Sequence, residues 1–310
     1  MSFLERIRVC NDYDLSGFIP FQINSQTVGW IKAHFVEHLI AEPGVFLITD
    51  TTASFVERLT TPEMRSAALK EVATNWVNAG IIRKLRDEIY PVRDTWSGPT
   101  HFHLDRGLAP IFGVRAYGVH LNGYVEKPTG IHMWIGKRSS DRRIEPNKLD
   151  NMVAGGQPAA LSLMENLIKE CAEEANLPRA LAERSLPVGT VTYCFENESG
   201  LKPDTLFCYD LCVPDTFTPT NQDGEIADFR LMAIEETLDL IRNGSTFKFN
   251  VSLVILDFAI RHGVLSPDLE PDYEGILAGL RRNSGTIQPA QHREPKAHFL
   301  TNSRQAKVDI

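Results

Sequence analysis

The chain is short of several things, and each shortage removes a class of function. Cysteine is scarce: Cys10, Cys171, Cys194, Cys208 and Cys212 are odd in number and form no Cys-x-x-Cys pair. That argues against a disulfide frame or a zinc site and for reduced thiols in a cytoplasmic protein. Cys208 and Cys212 fall in a strand-like run and are expected to pack there. Positive charge is in deficit, with 32 Lys and Arg against 40 Asp and Glu, a net charge of −8. A general nucleic-acid partner is thereby disfavoured, because it needs a basic surface to displace counterions. Long apolar runs are lacking too. The longest, Val251 to Ile260, is broken by Ser252 and Asp257 and falls short of the roughly 20 residues that cross a bilayer. The first eight residues carry Glu5, Arg6 and Arg8 where a signal peptide needs an apolar core. What remains is the composition of a globular protein, 43% hydrophobic and 23% charged, and 310 residues allow two domains.

The texture of the chain divides it. Residues 1–108 read as a small α+β domain. Thr27 to Ile40 has apolar residues at helical spacing, and Val45 to Thr49 reads as a short strand. Thr61 and Pro62 are a cap and a first-turn residue for a long helix that stops at Gly80. Tyr90 to Pro99 reads as loop. Residues 109–282 form a second domain. Val114 to Val125 and Ile131 to Lys137 are aromatic and β-branched, as strands are, with Pro128-Thr-Gly as the turn between them. A helix over Leu163 to Ala175 follows Gly155-Gly156; strands over Gly189 to Phe195, Thr205 to Val213 and Ile226 to Met232, and helices over Ile234 to Arg242 and Val251 to His262, complete it. Residues 283–310 are a polar tail, expected to be mobile or to lie along a partner. There are no internal repeats.

The chemistry concentrates on the helix after the glycine pair. At 100° per residue, Met164, Leu167, Ile168, Cys171 and Ala175 share one side, while Glu170, Glu173 and Glu174 share the neighbouring one, with Asn166 a turn earlier. Like charges at such spacing repel, and they stand near the helix end, where the macrodipole is negative. Lys169 is the only cation in the last two turns. An acidic face of this kind is usually just solvated. Here the unfavourable placement and the glycines upstream favour a site for Mg²⁺ or Mn²⁺, which take hard oxygen ligands and join carboxylates to substrate phosphates.

The segment Gly155 to Leu177 resembles the Nudix motif, Gx5Ex7REUxEExGU, in which U is a bulky aliphatic residue. Gly155 aligns with the first glycine, and Lys169-Glu170-Cys171-Ala172-Glu173-Glu174-Ala175-Asn176-Leu177 aligns with REUxEExGU. By that match Glu170, Glu173 and Glu174 resemble the family's metal-binding glutamates. Leu161 stands where the family has its first Glu, Lys169 replaces Arg, and Asn176 replaces Gly. Glu165, four residues before Lys169, is the candidate to pair with it. Leu85 to Val92, Phe112 to Tyr124, Met133 to Arg138, Lys148 to Gly156, Asp223 to Ile226 and Asp257 to Gly263 are similar to one Nudix group, related to the Nudix part of fungal thiamin pyrophosphokinase fusions. The resemblance implies an α/β fold: an α/β/α sandwich with a mixed sheet, preceded by an α+β domain. It also implies hydrolysis of thiamin diphosphate or its oxidised forms to the monophosphate.

Further candidates follow from the chemistry of that reaction. Glu225, in the turn Gln222-Asp-Gly-Glu, is the candidate to take a proton from water, with Glu174 as the alternative. Gly155, Gly156, Lys169 and, at the end of a strand, Arg138 and Lys137 are candidates to meet the small-molecule diphosphate. Trp134, Tyr117 and Phe207 are candidate stacking rings, though strand aromatics are mostly core. His101 and His103 share a strand face without a third ligand nearby, and His262 is placed to cap a helix. The N-terminal domain is expected to cover the pocket, to form a homodimer contact, or both. Rival readings are a Nudix-fold sensor with weak turnover, a general nucleoside-diphosphate hydrolase, and an isomerase using Cys194 or Cys208.

Overall fold

The computed structural model describes residues 2–282, so the polar tail lies outside them. Helix α1 (Phe3–Val9) opens the chain, followed by the hairpin β1 (Phe18–Ile23) and β2 (Gln26–Lys32). The helix expected from Thr27 is therefore a strand over its first half, and α2 (Val36–Ile40) is all the α-helix in that stretch. Two local features decide this. Thr27, Val28, Trp30 and Ile31 favour a strand, and Asn24 and Ser25 both take left-handed conformations, φ 49° and 66°, which close a two-residue hairpin.

Strands β3 (Phe46–Ile48) and β4 (Ala53–Phe55) complete a four-stranded sheet, in the order β2-β1-β4-β3. Helix α3 (Pro62–Asn78) covers it, capped by Thr61, whose hydroxyl accepts the Met64 N–H at 3.2 Å. Leu69, Val72 and Trp76 of α3 join Phe21, Phe46, Phe55, Phe102 and Phe112 in the core of this unit. The expected loop from Tyr90 begins as β5 (Ile89–Val92), which pairs with β6 (Phe102–Asp105) before the short helix α4 (Ala109–Phe112).

The second unit is built on a mixed sheet. Strands β7 (Ala116–Lys127) and β8 (Gly130–Arg138) turn at Pro128-Thr129, and β9 (Leu149–Asp150) and β10 (Val153–Gly156) run beside them. Helices α5 (Leu163–Ala175) and α6 (Arg179–Ala182) precede β11 (Leu186–Asn197), β12 (Gly200–Cys212) and β13 (Ile226–Ala233). Helices α7 (Ile234–Asn243), α8 (Val251–Arg261) and α9 (Tyr273–Gly279) end it. The order is β11-β12-β7-β8-β13, with β12 and β7 parallel and the other pairs antiparallel.

Alternation along the strands divides the core between two faces. Val119, Leu121 and Trp134 pack with Leu167 and Cys171 of α5. Met133, Ile135, Val191 and Cys208 pack with α7 and α8 on the other face. This is the α/β/α sandwich, and it accounts for the buried Cys208; its neighbour Cys212 is exposed. Helix α1 does not join the N-terminal core. Phe3 and Ile7 belong to the cluster of α8 and α9, so the chain begins inside the sandwich, leaves it and returns.

Candidate active site

Helix α5 is fixed at both ends. Ser162 and Glu165 form a reciprocal capping box: Glu165 Oε2 accepts the Ser162 N–H at 2.9 Å, and Ser162 Oγ accepts the Glu165 N–H at 3.3 Å. Glu165 is thus a cap and not the partner of Lys169. At the far end Asn176 takes the left-handed conformation, φ 51°, that the glycine of the motif would supply. Leu167, Cys171 and Ala175, all fully buried, press the helix onto the sheet.

Strand β10 lies antiparallel to β7 and passes under α5. A Cβ at Gly155 would collide with the carboxyl group of Glu170, and one at Gly156 with the hydroxyl of Tyr90, passing 3.4 Å from Glu88 Oε1. Both glycines are there because something must come close. Asn166, wholly buried, donates to the Gly156 carbonyl at 2.8 Å and holds the bend to the helix. Tyr90 and Glu88 belong to the N-terminal unit, and the Ala159 N–H also donates to the Ile89 carbonyl at 2.8 Å. The glycine bend is therefore walled by both units.

The three carboxylates sit in different surroundings. Glu174 is buried and accepts the Ala154 N–H at 2.8 Å. Burial raises its pKa well above the usual carboxylate range, and the charged neighbours that push further are the carboxylates Glu170, Asp150 and Glu225. Glu170 is largely buried, and burial raises its pKa as well, against the pull of Lys169. Glu173 is nearly half exposed. Lys169 Nζ bridges it at 2.6 Å to Glu170 at 3.3 Å. Among the described residues no three His, Cys, Asp or Glu side chains converge as they stand on a point for an ion. The donor set nevertheless suits a hard divalent cation: Glu170 and Glu174 are oxygen donors buried close together, and Lys169, which pairs with Glu170 and not with Glu174, sits at the rim.

Glu225 lies in its turn, about one-third exposed and ion-paired with Arg142. It is close enough to act electrostatically on Glu174. Arg138 is placed elsewhere. Its guanidinium is buried, with Nη1 on Asp150 Oδ2 at 2.8 Å and Nη2 on the Ile144 carbonyl at 2.9 Å, so it braces the β8–β9 loop. Tyr117 and Phe207 form an aromatic cluster with Trp96, whose ring centroid is 5.1 Å from each. Trp134 is in the core beneath α5. His101 binds Asp94 at 2.8 Å, and His262 binds Asp210 at 2.9 Å. Cys194 and Cys208 are buried, and burial drives both thiols far upward, which leaves no reactive thiolate for isomerase chemistry. A recess of about 470 Å³ between α3 and residues 84–87 is lined by none of the acidic residues of α5.

Comparison with known proteins bears on both units. Residues 2–116 match a family described as a domain of unknown function, DUF4743. The chain is 41% identical over 285 residues to Nudix hydrolase 24, chloroplastic, of Arabidopsis thaliana, spanning 90% of this chain and 77% of that protein. It is 42% identical over 277 residues to Nudix hydrolase 20, chloroplastic, of the same plant, spanning 86% and 74%. The chain belongs to the Nudix hydrolase family. The coarse activity of a Nudix hydrolase, cleavage of a diphosphate, comes with that membership. Among solved structures, DR0079 of Deinococcus radiodurans aligns with 55% of this chain and 98% of its own, at 21% identity and a TM-score of 0.42. Among the described residues of this Nudix hydrolase no helix is long and apolar enough to cross a membrane.

Proposed function

We propose that this protein hydrolyses thiamin diphosphate, or an oxidised form of it, to the monophosphate, using Mg²⁺ or Mn²⁺ held by Glu170, Glu173 and Glu174. The carrying observation is the collar around Gly155: Glu170 occupies the space of the missing Cβ, and Glu174 is tied to the next strand residue, Ala154. That arrangement brings two buried carboxylates against an open backbone with little positive charge between them. A divalent ion there offsets their repulsion, neutralises phosphate oxygens and lowers the pKa of water. Glu173 would join such an ion by leaving Lys169, an exposed pair worth at most about 1 kcal/mol. Lys169 would then be free to face the phosphates. Glu225 accepts the proton of the attacking water; it is the more exposed of the two candidate bases, and Arg142 orients it. Glu174, pinned by Ala154, serves the metal.

The thiamin moiety rests on the resemblance of the flanking segments and on the half-buried rings of Trp96 and Phe207 beside Tyr117, which offer a stacking face for a flat heterocycle. Buried thiols suit a reducing compartment, as the cytoplasm is. The test is a panel of diphosphates with Mg²⁺: thiamin diphosphate, its oxidised analogues, nucleotide sugars and dinucleotides. Release of thiamin monophosphate is expected, with kcat lowered on the order of a hundredfold by Glu225→Gln. Preference for nucleotide sugars would overturn the substrate assignment, and normal turnover by Glu225→Gln would overturn the base.

A further inference from the structure

The N-terminal unit brings more to the glycine bend than packing. Arg106 follows β6, and its backbone N–H donates to the Glu88 carbonyl at 2.8 Å. Its Nη1 donates to Glu88 Oε2 at 2.5 Å. Glu88 in turn stands against Gly156. Tyr90 on the bend and Glu225 in its turn also act electrostatically on Arg106. The guanidinium therefore stands beside the glycine bend, on the carboxylate that faces Gly156 and within electrostatic reach of the candidate base, and its side chain is 43% exposed.

The mounting is rigid. Asp105, buried, accepts the Arg86 N–H at 2.9 Å, the Asp87 N–H at 2.8 Å and the Gly107 N–H at 2.8 Å. One carboxylate thus fixes the two segments that carry Glu88 and Arg106 at the same height. Beside them Arg86 has Arg143, Arg106 and Arg83 as charged neighbours, with Asp105 the one acid among those that act on it most. In a chain of net charge −8, this group of arginines around Arg106 is a local reversal of sign, and such a group draws anions.

Other cations near the helix are committed. Arg138 is buried on Asp150, Arg142 is on Glu225, and Lys169 bridges Glu170 and Glu173. Arg106 is held differently. Glu88 is its side-chain partner among the described residues, and a guanidinium has five N–H donors. A part-exposed carboxylate pair is weak, whereas a phosphate takes the planar fork in two bonds and carries more charge.

We propose that Arg106, supplied by the N-terminal unit, is a phosphate ligand of the Nudix site, held by Glu88 until a diphosphate displaces that carboxylate. The proposal rests on the diphosphatase reading only for the class of ligand, a diphosphate. It gives the N-terminal unit a part in the site: it brings a second cation to the phosphates, beside the Lys169 that the second unit frees.

The test is calorimetric titration of the full chain with methylenediphosphonate, which cannot be hydrolysed, with and without Mg²⁺. Arg106→Ala is expected to weaken binding about tenfold or more, the range of a charge-assisted bond, and Arg106→Lys to fall between. Glu88→Gln, which frees the arginine, is expected to tighten binding a few-fold. A structural role does not give these opposite signs. Unchanged binding by Arg106→Ala, equal weakening by both variants, or no binding by the wild type would overturn the proposal. Wild-type protein that binds the probe through Arg106 yet leaves thiamin diphosphate intact would sink the substrate assignment and leave Arg106 standing.

Discussion

Two groups of buried acids sit on either side of the same sheet, and they are neutralised in opposite ways. On the α8 side Asp257 is held by Arg261 at 2.7 Å and by Arg281 at 2.5 Å, while Asp210 takes Arg261 at 2.5 Å and His262 at 2.9 Å. Asp150 likewise has Arg138 and Lys248, and despite burial Lys248, His120 and Arg138 keep its pKa low. On the α5 side Glu174 is buried among other carboxylates, and its pKa goes the other way. Acids whose cation is part of the chain are structural. Among the described residues Glu174 has no cation in ion-pair contact, and that contrast is what supports the proposal of a metal site on α5.

The contrast can be broken by experiment. The largest effect is expected where a cation is already in place. Asp257→Asn takes the buried carboxylate away from Arg281 and from one edge of Arg261, which keeps Asp210, and is expected to cost about 3 kcal/mol, read from urea melts; a loss below 1 kcal/mol would mean that the two groups of acids are equivalent. Next comes the metal. Mg²⁺ at a hundredfold excess over its Kd is expected to stabilise the wild type by about 2.7 kcal/mol, and Glu174→Gln to lose most of that gain; equal thermal shifts in the two proteins would refute the assignment of Glu174.

A graded effect follows from pH. Glu174 has a folded pKa above its usual 4.5, so the folded state binds that proton more tightly than the unfolded chain does. Its contribution is complete below the unfolded value and is lost as pH rises through the folded one. Without metal, Glu174→Gln is therefore expected to gain on the wild type as pH climbs from 4.5 towards neutrality. A difference that shrinks with rising pH would show the carboxylate to be stabilised by charge after all. The smallest effect belongs to Lys169→Ala, which removes an exposed bridge and is expected to change stability by less than about 1 kcal/mol, while lowering the affinity for a diphosphate. Affinity equal to the wild type would leave Lys169 a surface residue.

The parts that could be read from the sequence are those whose cause is local. Helix α5 runs from Leu163 to Ala175 as its apolar spacing indicates, because Ser162 and Asn176 punctuate it and nothing distant competes. The Thr61 cap is of the same kind. Residues 27–40 misled because apolar side chains at helical spacing also fit a strand followed by a short helix, and the decisive Asn24-Ser25 turn lies just upstream. Arg138 read as a free cation at a strand end, but the carbonyls of residues 144 and 145 come back to bury it, and that is a tertiary event. Glu88, Tyr90 and Arg106 lay within or beside a segment that resembles the family, yet nothing local linked them to Gly156, some fifty or more residues later.

The route of the chain has a practical consequence for cutting it. Because Phe3 and Ile7 are lodged among α8 and α9, the N-terminal unit is an insert with both stalks rooted in one body. A fragment beginning at Ala109 would not be a clean domain: it would lack two plugs from its interior as well as the wall beside its glycines. Excision between α1 and β7 keeps the plugs, but with the wall it removes Leu15 and Phe18, which close over Cys194 and Leu201, so the insert is part of the second unit's packing and not a lid laid on it.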